Sequence, residues 1–456
     1  MGRKRKRRGV SLGTVVMLVL TLVVAVGLGR MLPRLMGDTV VAIDTGRVLE
    51  ALTLTDGLPE LSLSDIPIAI NTRQPQAQPQ TTMAPVSGAA ATAPVISSAA
   101  PAPTATPEPV QGGSFTLTLG GSVCVDEAVR QSGYYSDSRK YDYAEVLSLL
   151  SGEMQSDLTL LSLENLVMPE KKVSSLIVPT EVMTMLASAG VDMVALGFPK
   201  AVDQGLDGLA STIAAAKSAG MKTLGAYTDQ ADAGEARMLT LGRVRVAFLH
   251  YTEKVSSKGQ KALKKADAAF ALPLAEPEAI AADIARVRQA GAQVVVVSLN
   301  WGTEGKSAPT KAQTELAQKI ADAGADIIMG TGSRVVQPTV WLEGHRADGS
   351  AGQTLCAYSL GALINESRKN AGVAAMLLQL KISVDGAGRV TFDEAAYTPT
   401  YIWRYRVDGK YYYRAIASDQ PNPFGMGEEQ AEAKTRAMGT TQKYLGETCP
   451  LVLRTK

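Results

Sequence analysis

The sequence is poor in cysteine. It has only three, Cys124, Cys356 and Cys449, in 456 residues, and no Cys-x-x-Cys pair. Three scattered cysteines exclude a disulfide framework. Spacing leaves two alternatives open: one oxidised pair in an exported domain, or buried free thiols at Cys124 and Cys356, which apolar residues flank.

Several motif classes are also missing. No Gly-x-x-x-x-Gly-Lys phosphate loop occurs, and Ser359 lacks the Gly-x-Ser-x-Gly pattern of a nucleophile elbow. The formal net charge is +2, and we find no basic face interleaved with aromatic residues, so no nucleic-acid partner is expected. A content of 46% hydrophobic and 20% charged residues is typical of a folded protein.

Positive charge is concentrated at the amino end. Six cations, residues 3–8, precede an uncharged apolar stretch, Val10 to Gly29. At about 1.5 Å per residue this stretch spans roughly 30 Å, the thickness of a bilayer core. It predicts a transmembrane helix over residues 10–30, with residues 1–9 in the cytoplasm and the rest outside. The alternative is a cleaved signal peptide, which an apolar run of this length without a clear Ala-x-Ala site does not favour.

Two different segments follow the apolar stretch. Residues 31–71 mix apolar and polar residues in short runs, which predicts a strand or two. Residues 72–112 consist mainly of Pro, Ala, Thr, Gln and Ser, with Arg73 and Glu108 as the only charges. Such a composition buries too little apolar surface to offset its ordering entropy, so it predicts a disordered linker, up to roughly 100 Å long when extended.

Residues 113–418 alternate short apolar strands with helices, which predicts an α/β domain. The predicted strands cover residues 115–119, 158–163, 193–196, 294–299 and 327–329. The predicted helices cover residues 209–219, 278–290 and 311–323, and a glycine follows each. In such folds, functional side chains collect on loops at the carboxyl ends of the strands.

The carboxyl-terminal region is predicted to close the domain. Asp408-Gly409 joins two tyrosine-containing runs and is a strong hairpin signal. Residues 419–456 are interpreted as a peripheral tail with one short helix over residues 428–438.

Six segments carry a family resemblance. They are Gly120-Gly121, Ser162-Leu163-Glu164, Phe198-Pro199-Lys200 with Asp203 and Gly205, Asn300-Trp301-Gly302-Thr303-Glu304, Gly330-Thr331-Gly332-Ser333-Arg334, and Tyr358-Ser359-Leu360-Gly361-Ala362. In this order they resemble the motifs of the CapA family of poly-γ-glutamate capsule synthesis proteins, a branch of the calcineurin-type metallophosphoesterases. The resemblance implies a sandwich of two sheets flanked by helices.

The resemblance also implies metal-ligand positions, and these are degenerate here. Where the family pattern has an Asp, a bridging Asn and four His, this sequence has Gly121, Ser162, Lys200, Asn300, Gly332 and Arg334. The only two histidines, His250 and His345, fall on no motif position. His250 is interpreted as structural and His345 as part of a turn. Because a two-metal phosphoesterase needs several carboxylate, amide and imidazole ligands, we expect no metal, no cofactor and no metal-dependent catalysis.

The altered motifs define a candidate ligand-binding site. Its residues are Glu164, Lys200, Asp203, Asn300, Trp301, Glu304 and Arg334. One interpretation is a salt-bridged plug, in which Lys200 and Arg334 neutralise Glu164 and Asp203. The other is a concave pocket, in which Lys200, Arg334 and Asn300 bind an anionic ligand such as a polyglutamate or a phosphorylated wall polymer.

Two of these residues, Trp301 and Asp203, also have a structural interpretation. Trp301 and Glu304 are candidates for contact with a polymer chain, but a tryptophan at the end of a buried strand more often packs in the core. Asp203 is suited to cap a helix that begins near Leu206.

The sequence therefore predicts a single-pass membrane protein with an extracytoplasmic CapA-like domain. By resemblance, it acts in the synthesis, anchoring or export of a capsule or envelope polymer, with that polymer or capsule-synthesis proteins as partners. Two alternatives stay open: an active metal-dependent hydrolase with displaced ligands, and a purely structural partner of an active homologue.

Overall fold

The computed structural model describes residues 112–346 and 349–454, together with the backbone of two short strands, β1 (Val40–Ala42) and β2 (Ala69–Asn71). The chain divides into two units, Met1–Pro103 and Thr104–Lys456. In the first unit β1 and β2 pair antiparallel, which confirms the strands predicted within residues 31–71. The predicted transmembrane helix and the linker up to residue 111 lie outside the described residues.

The second unit contains two large sheets. The larger sheet has nine strands, which are β3 (Gly113–Val123), β6 (Leu158–Leu163), β9 (Met193–Ala195), β10 (Lys222–Leu224), β17 (Ala362–Ile364), β18 (Ala374–Val384), β19 (Val390–Val407), β20 (Lys410–Ala417) and β21 (Val452–Leu453). The smaller sheet has six strands, which are β11 (Met238–Leu241), β12 (Val244–Thr252), β13 (Val294–Asn300), β14 (Ile327–Thr331), β15 (Thr339–His345) and β16 (Ala351–Ala357). Two small two-stranded ribbons pair β4 (Tyr134–Tyr135) with β5 (Lys140–Tyr141) and β7 (Leu166–Val167) with β8 (Ile177–Val178).

The strand order places parallel strands at the centre of the sandwich. The larger sheet runs β10-β9-β6-β3-β18-β19-β20, with β17 beside β3 and β21 beside β19. The smaller sheet runs β11-β12-β13-β14-β16-β15. Strands β3, β6, β9 and β10 are parallel to one another, as are β12, β13 and β14. The loops that follow these strands therefore gather at the carboxyl edge of each sheet.

Eight α-helices occur in the described part of the second unit. They are α1 (Glu127–Ser132), α2 (Glu181–Ser188), α3 (Gly205–Ser218), α4 (Gln230–Gly234), α5 (Ser257–Ala266), α6 (Pro277–Gln289), α7 (Lys311–Asp322) and α8 (Glu428–Leu445). Two 3-10 helices cover Ser148–Met154 and Ala269–Ala271. The three predicted helices correspond to α3, α6 and α7, and each ends within one residue of its predicted end. The glycine after each helix has a positive φ, as a helix stop requires.

The core has three main layers because strand residues alternate between the faces of a sheet. In β13, Val294 and Val296 pack between the two sheets, whereas Val295 and Val297 pack beneath α6 and α7. The outer face of the larger sheet is covered by α2 and α3. This arrangement confirms a sandwich of two sheets flanked by helices.

The carboxyl-terminal region differs from the prediction. Helix α8 is longer than expected, and Leu445 at its end packs with Leu451 in the core between the sheets. Strand β21 then pairs with β19. The prediction of a peripheral tail is wrong, because these leucines bury apolar surface that a free tail would expose to water.

Three smaller predictions can be compared directly with the structure. Asp408 and Gly409, with φ values of 48° and 83°, form the predicted hairpin turn. His345 is the last residue of β15, so its assignment to a turn is wrong. All three cysteines are free, and Cys124 and Cys356 are buried, which confirms the free-thiol alternative.

None of the helices within residues 112–346 and 349–454 has both the length and the apolar character needed to cross a bilayer.

Candidate functional site

An ion pair between Glu164 and Arg334 forms the centre of the site. Glu164 follows β6 of the larger sheet, and Arg334 follows β14 of the smaller sheet. Arg334 Nε and Nη2 donate to Glu164 Oε2 over 3.0 and 2.8 Å. The Glu164 side chain is 6% exposed and that of Arg334 is 26% exposed. The pair therefore joins the carboxyl edges of the two sheets in a largely desolvated place.

The second oxygen of Glu164 accepts two neutral donors. Ser122 Oγ in β3 donates to Glu164 Oε1 over 2.7 Å, and Asn300 Nδ2 at the end of β13 donates over 3.2 Å. Both carboxylate oxygens are thus hydrogen-bonded by the protein itself. The hydrogen-bonding capacity of this buried carboxylate is therefore met by protein donors, without a metal.

Arg334 is surrounded by further carboxylates. Its Nη1 lies 3.7 Å from Asp126 Oδ1 and 3.7 Å from Glu304 Oε1. Burial by itself lowers the pKa of the Arg334 guanidinium, but the charges of Glu164 and Asp126 help to raise it overall. Burial raises the pKa of Asp126, and Arg334 offsets part of that shift. One guanidinium thus faces three carboxyl groups, which is unfavourable for an anionic ligand at this point.

A cleft opens beside Arg334. Its volume is about 500 Å³, and its charged lining residues are Asp126, Glu304, Arg334, Glu366 and Lys369. Glu366 Oε2 accepts a hydrogen bond from Ala128 N, in the first turn of α1, over 2.9 Å. The cleft is therefore lined by three carboxyl groups, and each already has a protein partner: Arg334 for Asp126 and Glu304, and Ala128 N for Glu366.

Cys124 is the buried neighbour of this centre. Burial raises the pKa of the Cys124 thiol, and the charge of Glu164 raises it further. The thiol is therefore neutral at physiological pH, unlike a thiolate that would bind a metal or attack a substrate.

Two positions that the resemblance assigns to metal ligands are closed by backbone. A Cβ at Gly121 would lie 2.2 Å from the carbonyl oxygen of Gly361. Gly332 has a φ of 97°, and a Cβ there would lie 2.8 Å from the carbonyl oxygen of Trp301. Side chains at these positions would require the backbone to move.

The residues present do not fit the two-metal centre implied by the resemblance. In the described ranges, no three His, Cys, Asp or Glu side chains lie close enough together to hold a metal ion. Arg334 directs its charged donors at the one buried carboxylate of the centre, where a metal would compete with a fixed cation. Ser162 Oγ, at the position of the bridging ligand, lies 3.5 Å from Thr331 Oγ1.

Lys200 is not part of this centre. It lies exposed on the turn between β9 and α3, and no carboxylate of a described residue is within ion-pair distance of it. Asp203 is on the same turn and accepts a hydrogen bond from Ser256 Oγ. The predicted pairing of Lys200 with Glu164 or Asp203 is not found. The residue that precedes α3 is Gln204, so Asp203 does not act as the predicted helix cap.

Trp301 and Glu304 have opposite environments. Trp301 is 2% exposed, stacks on Tyr358 and donates from Nε1 to the carbonyl oxygen of Tyr358 over 2.8 Å. This position matches the packing interpretation of Trp301. Glu304 is 72% exposed at the mouth of the cleft.

His250 connects the two sheets near the same edge. Its Nε2 donates to the carbonyl oxygen of Gly197 over 2.8 Å, and its Nδ1 accepts from Ser298 Oγ over 2.9 Å. Burial lowers the pKa of His250 to about 4. A neutral, fully hydrogen-bonded imidazole confirms its structural interpretation.

Sequence reasoning missed four members of the site: Ser122, Cys124, Asp126 and Glu366. Asp126 follows β3 as Glu164 follows β6, so the strand-end rule could have identified it. Glu366 likewise follows β17, but that strand has only three residues and was not among the predicted strands, so the rule could not be applied to it.

Comparisons with known proteins agree with the motif resemblance. The model of the family described as bacterial capsule synthesis protein PGA_cap matches residues 116–367. The matched range includes Glu164, Asn300 and Arg334. The resemblance to capsule synthesis proteins is thereby confirmed.

Two curated relatives match part of the chain. The PGA biosynthesis protein CapA of Bacillus subtilis (strain 168) is 30% identical over 190 residues, which cover 41% of this chain and 46% of that protein. The capsule biosynthesis protein CapA of Bacillus anthracis is 26% identical over 231 residues, which cover 49% of this chain and 55% of that protein. The chain spans about half the length of the curated relatives it matches.

Among solved structures, the calcineurin-like phosphoesterase YfkN from Bacillus subtilis aligns with a TM-score of 0.38. The two are 16% identical, and the alignment covers 74% of this chain and 99% of that chain.

Proposed function

We propose a function from one premise: this chain belongs to the PGA_cap family of bacterial capsule synthesis proteins. On that premise, it takes part in the synthesis, anchoring or export of a capsule or envelope polymer of the poly-γ-glutamate type. It does so without a metal-dependent catalytic step. The names of its relatives, a PGA biosynthesis protein and a capsule biosynthesis protein, support the choice of polymer.

The ion pair between Arg334 and Glu164 carries the second part of the proposal. A two-metal phosphoesterase uses its buried carboxylates to hold cations that generate hydroxide and neutralise the phosphoryl group. Here the buried carboxylate is neutralised by a guanidinium and hydrogen-bonded by Ser122 and Asn300. We infer that the site keeps the two sheets together and leaves binding to other surfaces of the domain.

The proposal also includes a location. The cationic residues 3–8 and the apolar stretch over residues 10–30 support a membrane anchor with a cytoplasmic amino end. The domain from residue 113 onward is then extracytoplasmic, where an envelope polymer is assembled. Digestion of intact protoplasts with a protease tests this: loss of the domain with survival of an amino-terminal tag supports the proposed orientation.

Genetic complementation tests the function. Deleting the gene in its bacterium is expected to reduce surface polymer, measured as acid-released glutamate in the envelope. The wild-type chain and the Glu164→Gln variant should both restore it, since the proposed role of Glu164 is structural. Glu315→Gln, at an exposed position of α7, is the matched control for expression and charge.

Metal analysis separates this function from hydrolysis. The full-length chain, purified in detergent, is incubated with Mn²⁺, gel-filtered and analysed for bound metal and for cleavage of bis-p-nitrophenyl phosphate. We expect less than one equivalent of metal and no manganese-dependent cleavage. Stoichiometric manganese, together with cleavage that Glu164→Gln abolishes, would instead establish a metal-dependent hydrolase.

A further inference from the structure

Helix α5 carries charge of only one sign. Its ten residues include Lys258, Lys261, Lys264 and Lys265 and no carboxylate. The similarly exposed α7, by contrast, alternates lysines with Glu315 and Asp322. All four lysines of α5 are exposed, and none is in an ion pair with a described residue.

This arrangement is unfavourable for the isolated helix. Lys261 lies three or four positions from each of the other three lysines, and like charges at these spacings repel. Lys258 also lies in the first turn, which contains no acidic residue, next to the positive end of the helix dipole. A bound anion would relieve both effects.

The rest of the domain holds α5 in a fixed orientation. Ser256 caps the helix by accepting from Gly259 N over 2.9 Å, and Leu263 packs on the main core. A Cβ at Gly259 would lie 2.7 Å from Val255 Cγ1 and 2.8 Å from Val202 Cγ2. The apolar side of the helix is therefore buried, and its lysines point to solvent.

Two further lysines extend this surface beyond the helix. Ser256 N donates to the carbonyl oxygen of Pro199 over 2.8 Å, which joins the start of α5 to the turn that carries Lys200. Lys254, two residues before the cap, is also exposed, although it pairs with Glu253 over 3.3 Å. We call the whole set the lysine surface: Lys200, Lys254, Lys258, Lys261, Lys264 and Lys265.

We propose that the lysine surface binds a linear polycarboxylate, with the ammonium groups contacting successive carboxylates of the chain. This inference rests on the proposed function for the identity of the polymer. The ammonium groups are spread along a helix of about 15 Å instead of converging on a cavity, which suits a ligand with repeated charge. Lysine is a mobile point charge without fixed geometry, so it tolerates a flexible chain.

The buried apolar side of α5 favours a polymer over a lipid surface. A helix that lies in a membrane interface inserts apolar side chains between the lipids. The apolar residues of α5 and its flanks, Val255, Leu263 and Ala268, instead pack in the core of the domain. The exposed face has charge without a hydrophobic anchor.

Binding of fluorescent poly-γ-glutamate to the full-length chain in detergent tests the proposal by anisotropy. The first variant combines Lys258→Gln, Lys261→Gln, Lys264→Gln and Lys265→Gln, because glutamine keeps the helix propensity of lysine. The matched control combines Lys171→Gln, Lys172→Gln, Lys217→Gln and Lys381→Gln, four exposed lysines that are not part of the lysine surface. Both variants lose the same charge, and circular dichroism checks that both are folded.

We expect the α5 variant to bind about tenfold or more weakly and the control to change by less than about twofold. Wild-type binding should also weaken when ionic strength rises from about 0.05 to about 0.3 M. Equal losses in both variants would overturn the proposal. So would the absence of wild-type binding, or binding only to vesicles of phosphatidylglycerol and phosphatidylcholine.

The complementation experiment distinguishes failure of the lysine-surface proposal from failure of the proposed function. If deletion of the gene leaves the surface polymer unchanged, the proposed function fails whatever the binding data show. If deletion removes the polymer but the α5 variant binds it as the wild type does, only the lysine surface is refuted.

Discussion

The two ends of strand β14 carry ion pairs of different character. Asp326 precedes the strand and Arg334 follows it shortly after. Asp326 pairs with Arg288 over 2.6 Å and with Arg346 over 3.1 Å, and its side chain is 2% exposed. Arg334 pairs with Glu164 but is 26% exposed beside a cleft of about 500 Å³.

The difference between the two ends shows that a charged cluster is not by itself evidence of a functional site. At the amino end, Asp326 also accepts a hydrogen bond from Val295 N over 2.8 Å, and the network locks strands β13 and β14 together. At the carboxyl end, the same chemistry joins two sheets and keeps one side open to solvent. An ion pair by itself therefore does not distinguish a binding site from a purely structural contact. The two ends of β14 differ only in whether the pair is enclosed by the protein or open to a cleft.

The largest expected effect is at the amino end. Asp326→Ala should lower the free energy of unfolding by about 3–5 kcal/mol, because it leaves Arg288 buried without its partner. Urea denaturation followed by tryptophan fluorescence measures this. The control, Glu315→Ala, removes an exposed i,i+4 pair and should change the free energy by less than about 0.5 kcal/mol. Similar losses of unfolding free energy in both variants would contradict the expected difference between buried and exposed ion pairs.

Acidification should act through His250, near the carboxyl edge. Its pKa is lowered to about 4, so the folded state keeps the imidazole neutral while the unfolded state takes up a proton below about pH 6.5. The resulting loss of unfolding free energy begins as pH falls through 6.5 and reaches about 3 kcal/mol near pH 4. Denaturation of the wild type and of His250→Gln across this range measures it. Identical pH dependence in the two proteins would refute this role.

Breaking the ion pair at the carboxyl end should cost less than breaking the one at the amino end. Glu164→Gln is expected to lower the free energy of unfolding by about 2 kcal/mol, since Arg334 stays partly hydrated and keeps Asp126 and Glu304 nearby. The control, Glu304→Gln, alters an exposed carboxylate 3.7 Å from the same guanidinium and should have almost no effect. Thermal unfolding of the three proteins decides whether Glu164 dominates. A loss as large as that of Asp326→Ala would erase the proposed difference between the two ends.

The smallest expected effect concerns the backbone conformation of Arg334. Arg334 has a φ of 58°, a left-handed conformation that alanine adopts at a cost and glycine does not. Arg334→Ala should therefore be less stable than Arg334→Gly by about 1 kcal/mol. At Arg288, in the last turn of α6, the order should reverse, because glycine is a poorer helix former than alanine. The same order at both positions would argue against strain at Arg334.

Much of the scaffold was predictable because it depends on local patterns. The run over residues 158–163 matches β6 residue for residue, and the glycines after α3, α6 and α7 marked the helix ends. The site was only partly predictable. Glu164, Asn300 and Arg334 meet as their strand-end positions suggested, but Lys200 lies elsewhere.

The sequence by itself determined the order of the predicted core strands and helices, the family and the identity of the residues at the degenerate motif positions. These properties follow from periodicity and residue type, which act over a few neighbouring positions. Only the tertiary structure decided that Arg334 neutralises Glu164, that Asp126 and Glu366 line the same cleft, and that Lys200 joins the lysines of α5. Those contacts join residues far apart in the chain, and they depend on loop conformations such as the positive φ of Arg334, which local patterns do not specify.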